Sequence, residues 1–159
     1  MRIALGADHR GRAILLKLTT LLGLEGHELV TFGQADEDAT VDYPDTALPV
    51  AKAVAMAEAD IGILVCGSGI GSCIVANKVR GIRAALAHDE IGADMARRHH
   101  DANILCLAAD LTGLRIIDRI VDTFLATPFE GGRHERRLGK IAQLETNGLA
   151  ISAQSGADS

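Results

Sequence analysis

Five short apolar runs, at 3–5, 29–32, 61–65, 84–87 and 104–108, divide the chain, and each is followed by a stretch of helical periodicity. Runs that stay apolar instead of alternating suit strands covered on both faces, so the economical arrangement is a five-stranded parallel sheet between helices. The helical stretches fall at 12–24, 45–57, 71–79, 90–99, 114–126 and 134–146. In the first, Ile14, Leu15, Leu18, Leu21 and Leu22 form one stripe, and Pro44 suits the opening turn of the second, where a missing N–H costs nothing. Right-handed crossovers place the C-terminal end of every strand on one edge, where open α/β sheets bind ligands. The residues that follow the strands there are Asp8 and His9, then Cys66 to Gly71, then His88 and Asp89.

With 159 residues, 48% hydrophobic and 23% charged, the chain is long enough for one domain with a real core, expected over 1–149. The small, polar, aperiodic end at 150–159 reads as a disordered tail. Aromatic residues make up 3% and the net charge is -5, which argues against a nucleic-acid partner: base-stacking platforms are scarce and no basic surface is implied. Three cysteines, Cys66, Cys73 and Cys106, have neither a disulfide framework's even count nor a zinc site's spacing. Strand-like sequence begins at Arg2, and no apolar run reaches membrane-spanning length. Together these features predict a cytoplasmic, reducing location without a membrane partner.

The densest chemistry lies in Cys66, Gly67, Ser68, Gly69, Ile70 and Gly71, where the third apolar run turns into a helix. Its G-x-G-x-G spacing puts Ser72 where a dinucleotide fingerprint needs glycine, and no Gly-Lys-Ser/Thr follows to make a phosphate-binding P-loop. A cysteine phosphatase would want an arginine in the loop, and none is present. A thiolate base remains, near a helix N-terminus that favours the ionised thiol. Backbone N–H groups of the glycine loop and the Ser68 hydroxyl could then hold an enediolate oxygen. A tight turn around an inert cysteine is the alternative reading.

Two basic segments complete the candidates. Arg97, Arg98, His99, His100 and Asp101 end a helix, where cations commonly serve as caps, and adjacent histidines cannot both face one cleft. One of them suits a general acid that opens a cyclic sugar. Arg133 and Arg137 lie four apart on a later helix and share a face that could grip a phosphate, unless it is simply a solvated charged face.

Taken in order, these pieces resemble the type B ribose-5-phosphate isomerases, a family that includes the galactose-6-phosphate isomerase subunits. The resemblance is carried by Gly6-Ala7-Asp8-His9-Arg10-Gly11, Asp42-Tyr43-Pro44, the Cys66 to Gly71 loop, Ala76-Asn77-Lys78, Gly81-Ile82-Arg83-Ala84, His99 with Asp101 and Asn103, and Glu130-Gly131-Gly132-Arg133-His134 with Arg137. It implies a Rossmann-like three-layer αβα sandwich, a homodimer or a pair of dimers with sites at the subunit interface, and aldose-ketose isomerisation without metal or organic cofactor. It further implies Cys66 as the base between C1 and C2, assisted by Ser68, and His99 as the ring-opening group. Asp8, His9, Tyr43 and His100 would line the sugar, Gly67, Ser68, Gly69, Ile70 and Gly71 would hold its reacting end, and Arg133 and Arg137 would bind phosphate.

Two positions depart from the family pattern. His100 stands where relatives have asparagine, and Asp110 stands where they carry a phosphate-contacting arginine. An anion beside a phosphate is unfavourable. The Cys66 loop, His99 and the Arg133/Arg137 pair make ribose 5-phosphate the first expectation, and the two departures motivate galactose 6-phosphate, allose 6-phosphate or a tetrose phosphate as alternatives. A sugar-phosphate binder without catalysis is the reading from another class.

Overall fold

The computed structural model describes residues 1–33 and 40–147, so the tail expected at 150–159 lies outside the described residues. Among these, the order is β1 (Arg2–Ala7), α1 (Arg12–Leu24), β2 (Glu28–Phe32), α2 (Tyr43–Ala55), β3 (Ile61–Cys66), α3 (Ile70–Ala76), β4 (Ala84–Leu86), α4 (Glu90–His100), β5 (Ile104–Ala108), α5 (Leu114–Ala126) and α6 (Arg133–Asn147). The strands form one parallel sheet in the order β2-β1-β3-β5-β4. This is the expected Rossmann-like α/β sandwich, and β3 at its centre is buried along its whole length.

Each sheet face has its own core. Ile3, Leu5, Ile63, Val65, Leu105 and Leu107 pack with α1, α4 and α5, whose stripes include Leu15, Leu18, Ala93, Ile117 and Phe124. Each large side chain buried this way contributes about 1.5–3 kcal/mol. The opposite face carries Ala4, Leu64, Ile104 and Cys106 against Ala47, Val50 and Ala51 of α2 and Ala76 of α3. Small residues bring α2 close on that side: a Cβ added at Gly6 would stand 2.7 Å from Val50 Cγ2. The last helix, α6, packs on α4 and leaves Ile141 and Leu144 exposed.

The helices expected at 12–24 and 114–126 have those bounds, those expected at 90–99 and 134–146 differ by one residue at one or both ends, and the other two differ for local reasons. In α2 the extended Asp42 precedes Tyr43, and Pro44 enters the first turn, so the helix starts two residues before Asp45. The stretch expected as helix to Val79 leaves α-geometry at Ala76, after which Lys78 and Val79 donate to carbonyls three residues back. Asn77 then acts as a substitute strand for the sheet edge. Its Oδ1 accepts from the Ala84 N–H at 2.9 Å and its Nδ2 donates to the Ala84 carbonyl at 2.9 Å.

Candidate active site

Three strand ends meet at the C-terminal edge of the sheet. Cys66, 3% exposed, is the last residue of β3, and its carbonyl accepts from Ala109 N at 2.9 Å while that of Gly67 accepts from Asp110 N at 3.0 Å. The chain then turns through Gly69 at φ +75°, a left-handed conformation that glycine adopts without steric cost. No other residue fits there, since a Cβ would collide with Leu86 Cδ1 and stand 3.1 Å from the Leu107 carbonyl. Ser68 Oγ accepts from the Ile70 N–H at 3.3 Å, which orders the turn and leaves the hydroxyl proton as a donor.

Asp8 is buried beside this loop, its Oδ1 accepting from Arg10 N at 2.9 Å and Gly11 N at 3.0 Å. Its own N–H donates to the Val65 carbonyl at 3.3 Å, and Gly11 approaches β3 so closely that a Cβ would stand 2.6 Å from the same oxygen. His9 Nδ1 lies 3.2 Å from the Val41 carbonyl, linking the β1 turn to the approach to α2. Tyr43, in the first turn of α2, lays its half-exposed ring on Gly71, where a Cβ would stand 2.7 Å from Cε2. One edge thus gathers Asp8, His9, Cys66 and the glycine loop as expected, and Tyr43 of α2 joins them there. Asp89 serves a different purpose there, since its carboxylate accepts from Gly92 N at 2.7 Å and caps α4.

The second group lies elsewhere. Because α4 returns antiparallel to the strands, His99 and His100 sit at the opposite, N-terminal edge, where Arg83 enters β4 and Asn103 precedes β5. Arg83 clamps that corner, donating through Nε to the His100 and Asp101 carbonyls at 3.0 Å and through Nη2 to Asp101 Oδ2 at 2.9 Å. Asp101 itself, left-handed at φ 41°, also receives Arg97 Nη1 at 2.9 Å. Asn103 accepts from Arg83 N at 2.8 Å and donates to the Gly81 carbonyl at 2.9 Å. Asp101 and Asn103, along with Asn77, are therefore framework residues of the motifs that contain them.

His99 stacks on His134, ring centroids 4.2 Å apart and planes 3° from parallel, with Glu130 Oε2 3.9 Å from His99 Nε2. Arg133 Nε donates to His134 Nε2 at 3.3 Å. The His134 pKa is lowered, first by burial and then by the neighbouring charges of His99 and Arg133. His100 meets His99 edge-on at 6.2 Å and turns toward an apolar groove, while Arg137 lies exposed one turn beyond Arg133 on α6. Glu130 and the His99–His134 stack escaped the sequence reading, which had only the adjacency of Glu130, Arg133 and His134 as a signal. His99, Glu130 and His134 offer ligand atoms within 4.8 Å of one another. Parallel rings, however, point their lone pairs alongside each other instead of at one ion, and Arg133 repels a cation, so the cluster is poorly arranged to hold a metal.

The two groups cannot serve one substrate within one chain. The six-residue β3 separates the edges by roughly 17 Å at ~3.3 Å per residue. Ribose 5-phosphate spans at most about 9 Å from C1 to phosphorus over six bonds of ~1.5 Å.

A parallel αβα sandwich with a thiol in a glycine loop at one edge and a histidine-arginine group at the other has the parts of a small α/β sugar-phosphate isomerase. The sequence profile of the Ribose/Galactose Isomerase family matches residues 3–141, and the chain belongs to that family. It is 40% identical to ribose-5-phosphate isomerase B of Escherichia coli (strain K12), covering 91% of this chain and 96% of the relative. The structure of Clostridium thermocellum ribose-5-phosphate isomerase B superposes with a TM-score of 0.89 at 45% identity, covering 92% of this chain and 99% of that one. Ribose-5-phosphate isomerase B from Mycoplasma genitalium with bound ribulose-5-phosphate superposes at 0.87 and 41% identity, covering 91% and 96%.

Proposed function

We propose that this protein is an aldose-ketose isomerase interconverting ribose 5-phosphate and ribulose 5-phosphate, and that it works as a homodimer. The observation that carries the reading is the placement of buried Cys66 at the end of β3, directly ahead of the Gly67–Gly71 turn on which Tyr43 rests. In the aldose direction the Cys66 thiolate removes the C2 proton, and the electron pair moves onto the carbonyl oxygen at C1 to form a cis-enediolate. Loop N–H groups and the Ser68 hydroxyl hold the developing charge. Proton exchange between the two oxygens and return of the proton to C1 complete the ketose.

The split between the two edges supports the dimer. A second copy brings His99 of the partner subunit to the ring oxygen, with the partner's Arg133 and the partner's Arg137 on the phosphate. An apolar surface is available for such pairing: Ile70, Ile74, Met95, Ile141 and Leu144 are each 44–63% exposed. Beside them a groove of about 440 Å³ is lined by Ile82, Met95, Ala96 and Leu138. Burying such a surface between copies removes it from water. Among the described residues no helix is long and apolar enough to cross a membrane, and the free thiols suit a reducing cytoplasm. One isomerase domain over 1–149 accounts for these parts.

A panel of ribose 5-phosphate, galactose 6-phosphate, allose 6-phosphate and a tetrose phosphate, run in deuterium oxide, tests the proposal. Ribose 5-phosphate should give the highest kcat/KM, with solvent deuterium entering at C1 of the ketose. Cys66→Ala should lose at least about a thousandfold in kcat. Binding without deuterium exchange in the wild-type protein would refute isomerisation.

A further inference from the structure

We infer that Arg10 contacts the substrate phosphate from the same chain as Cys66, with Asp110 as the positioning residue that holds its guanidinium in place. The inference rests on the sugar-phosphate isomerase reading and extends it to a residue that the sequence motifs left without a role.

Arg10 Nε donates to Asp110 Oδ2 at 2.8 Å, joining the ends of β1 and β5 across 100 positions of sequence. The pair lies against Gly67, where a Cβ would stand 2.8 Å from Asp110 Oδ2 and 3.5 Å from Arg10 Nε. A guanidinium therefore sits one residue from the catalytic thiol. Both partners are anchored through the backbone, Arg10 N on Asp8 Oδ1 at 2.9 Å and Asp110 N on the Gly67 carbonyl at 3.0 Å.

Only Nε is engaged. Nη1 and Nη2 form no hydrogen bond with a described residue, so four N–H donors in a planar fork remain at the mouth of the site. As a stability device such a pair is weak, because its side chains are 55% and 39% exposed. As an anion-binding device it is well built. Alone, Asp110 would repel a phosphate, but paired with Arg10 its charge is already matched and it holds the guanidinium plane. Asp110 thus takes from the site no cation that Arg10 does not return.

Arg10→Met keeps an unbranched stem about as far as the Nε position and removes the guanidinium charge. It should raise KM for ribose 5-phosphate about tenfold or more with a smaller change in kcat, and weaken competitive inhibition by inorganic phosphate equally. Inhibition by unphosphorylated ribose should stay within about twofold of wild type. Asp110→Ala should raise KM several-fold, whereas Asp110→Asn, whose amide oxygen still accepts from Nε, should recover most of that loss. Wild-type KM and phosphate inhibition in Arg10→Met would overturn the inference, as would equal weakening of ribose and phosphate. A wild-type protein that turns over no sugar phosphate would instead sink the isomerase reading itself.

Discussion

Two variants that are each inactive should restore activity to one another. Cys66→Ala removes the thiol at the C-terminal edge, and His99→Asn removes the imidazole at the N-terminal edge, roughly 17 Å away within one chain. In a symmetric dimer whose sites each combine one chain's Cys66 with the other chain's His99, a mixed dimer has one site carrying both substitutions and one carrying neither. Random pairing from equal amounts makes half the dimers mixed, so about one quarter of all sites are wild type. Co-expression with two different affinity tags, followed by purification on both in turn, isolates the mixed dimer and raises the expected recovery to about one half. The assay follows ribulose 5-phosphate formed from ribose 5-phosphate, starting from the cyclic sugar so that ring opening is required. If both residues acted within one chain, every site of the mixed dimer would carry one substitution and activity would stay at the level of the parents. That outcome would refute the two-chain site.

Two further outcomes follow from the geometry. Gly69→Ala imposes a left-handed conformation on alanine and drives a methyl group into Leu86 and the Leu107 carbonyl, so denaturant titration should show a loss of roughly 2–5 kcal/mol; an unchanged midpoint would mean the turn has another conformation. His134 has its folded pKa lowered from the ordinary 6.5, so the unfolded chain takes up the proton first and stability falls as pH drops below about 6.5. His134→Phe should flatten that slope, and identical slopes in the two proteins would exclude His134 as its source.

Strands and helices were legible where the pattern is local. The run from Ile61 to Val65 has no polar interruption because β3 is covered on both faces, and Leu15, Leu18 and Leu22 repeat at helical spacing because one side of α1 meets the sheet. The Cys66 loop was legible for the same reason: Gly69 is needed for a conformation and a clearance that belong to the turn itself. Asn77 and Asn103 were visible only as parts of motifs, since their amides bond backbone groups that the sequence does not mark as neighbours.

The sequence by itself determined the kind of elements, their order, and the sheet edge at which the thiol, Asp8 and His9 collect, because hydrophobic periodicity and crossover handedness act over short stretches of chain. Only the tertiary structure decided that His99, Arg133 and Arg137 lie at the other edge of the sheet from Cys66. It also decided that Asp110 meets Arg10 over Gly67. Both follow from strand order, which sets β1, β3 and β5 side by side, and from packing among residues as far as 100 positions apart, for which no local pattern exists.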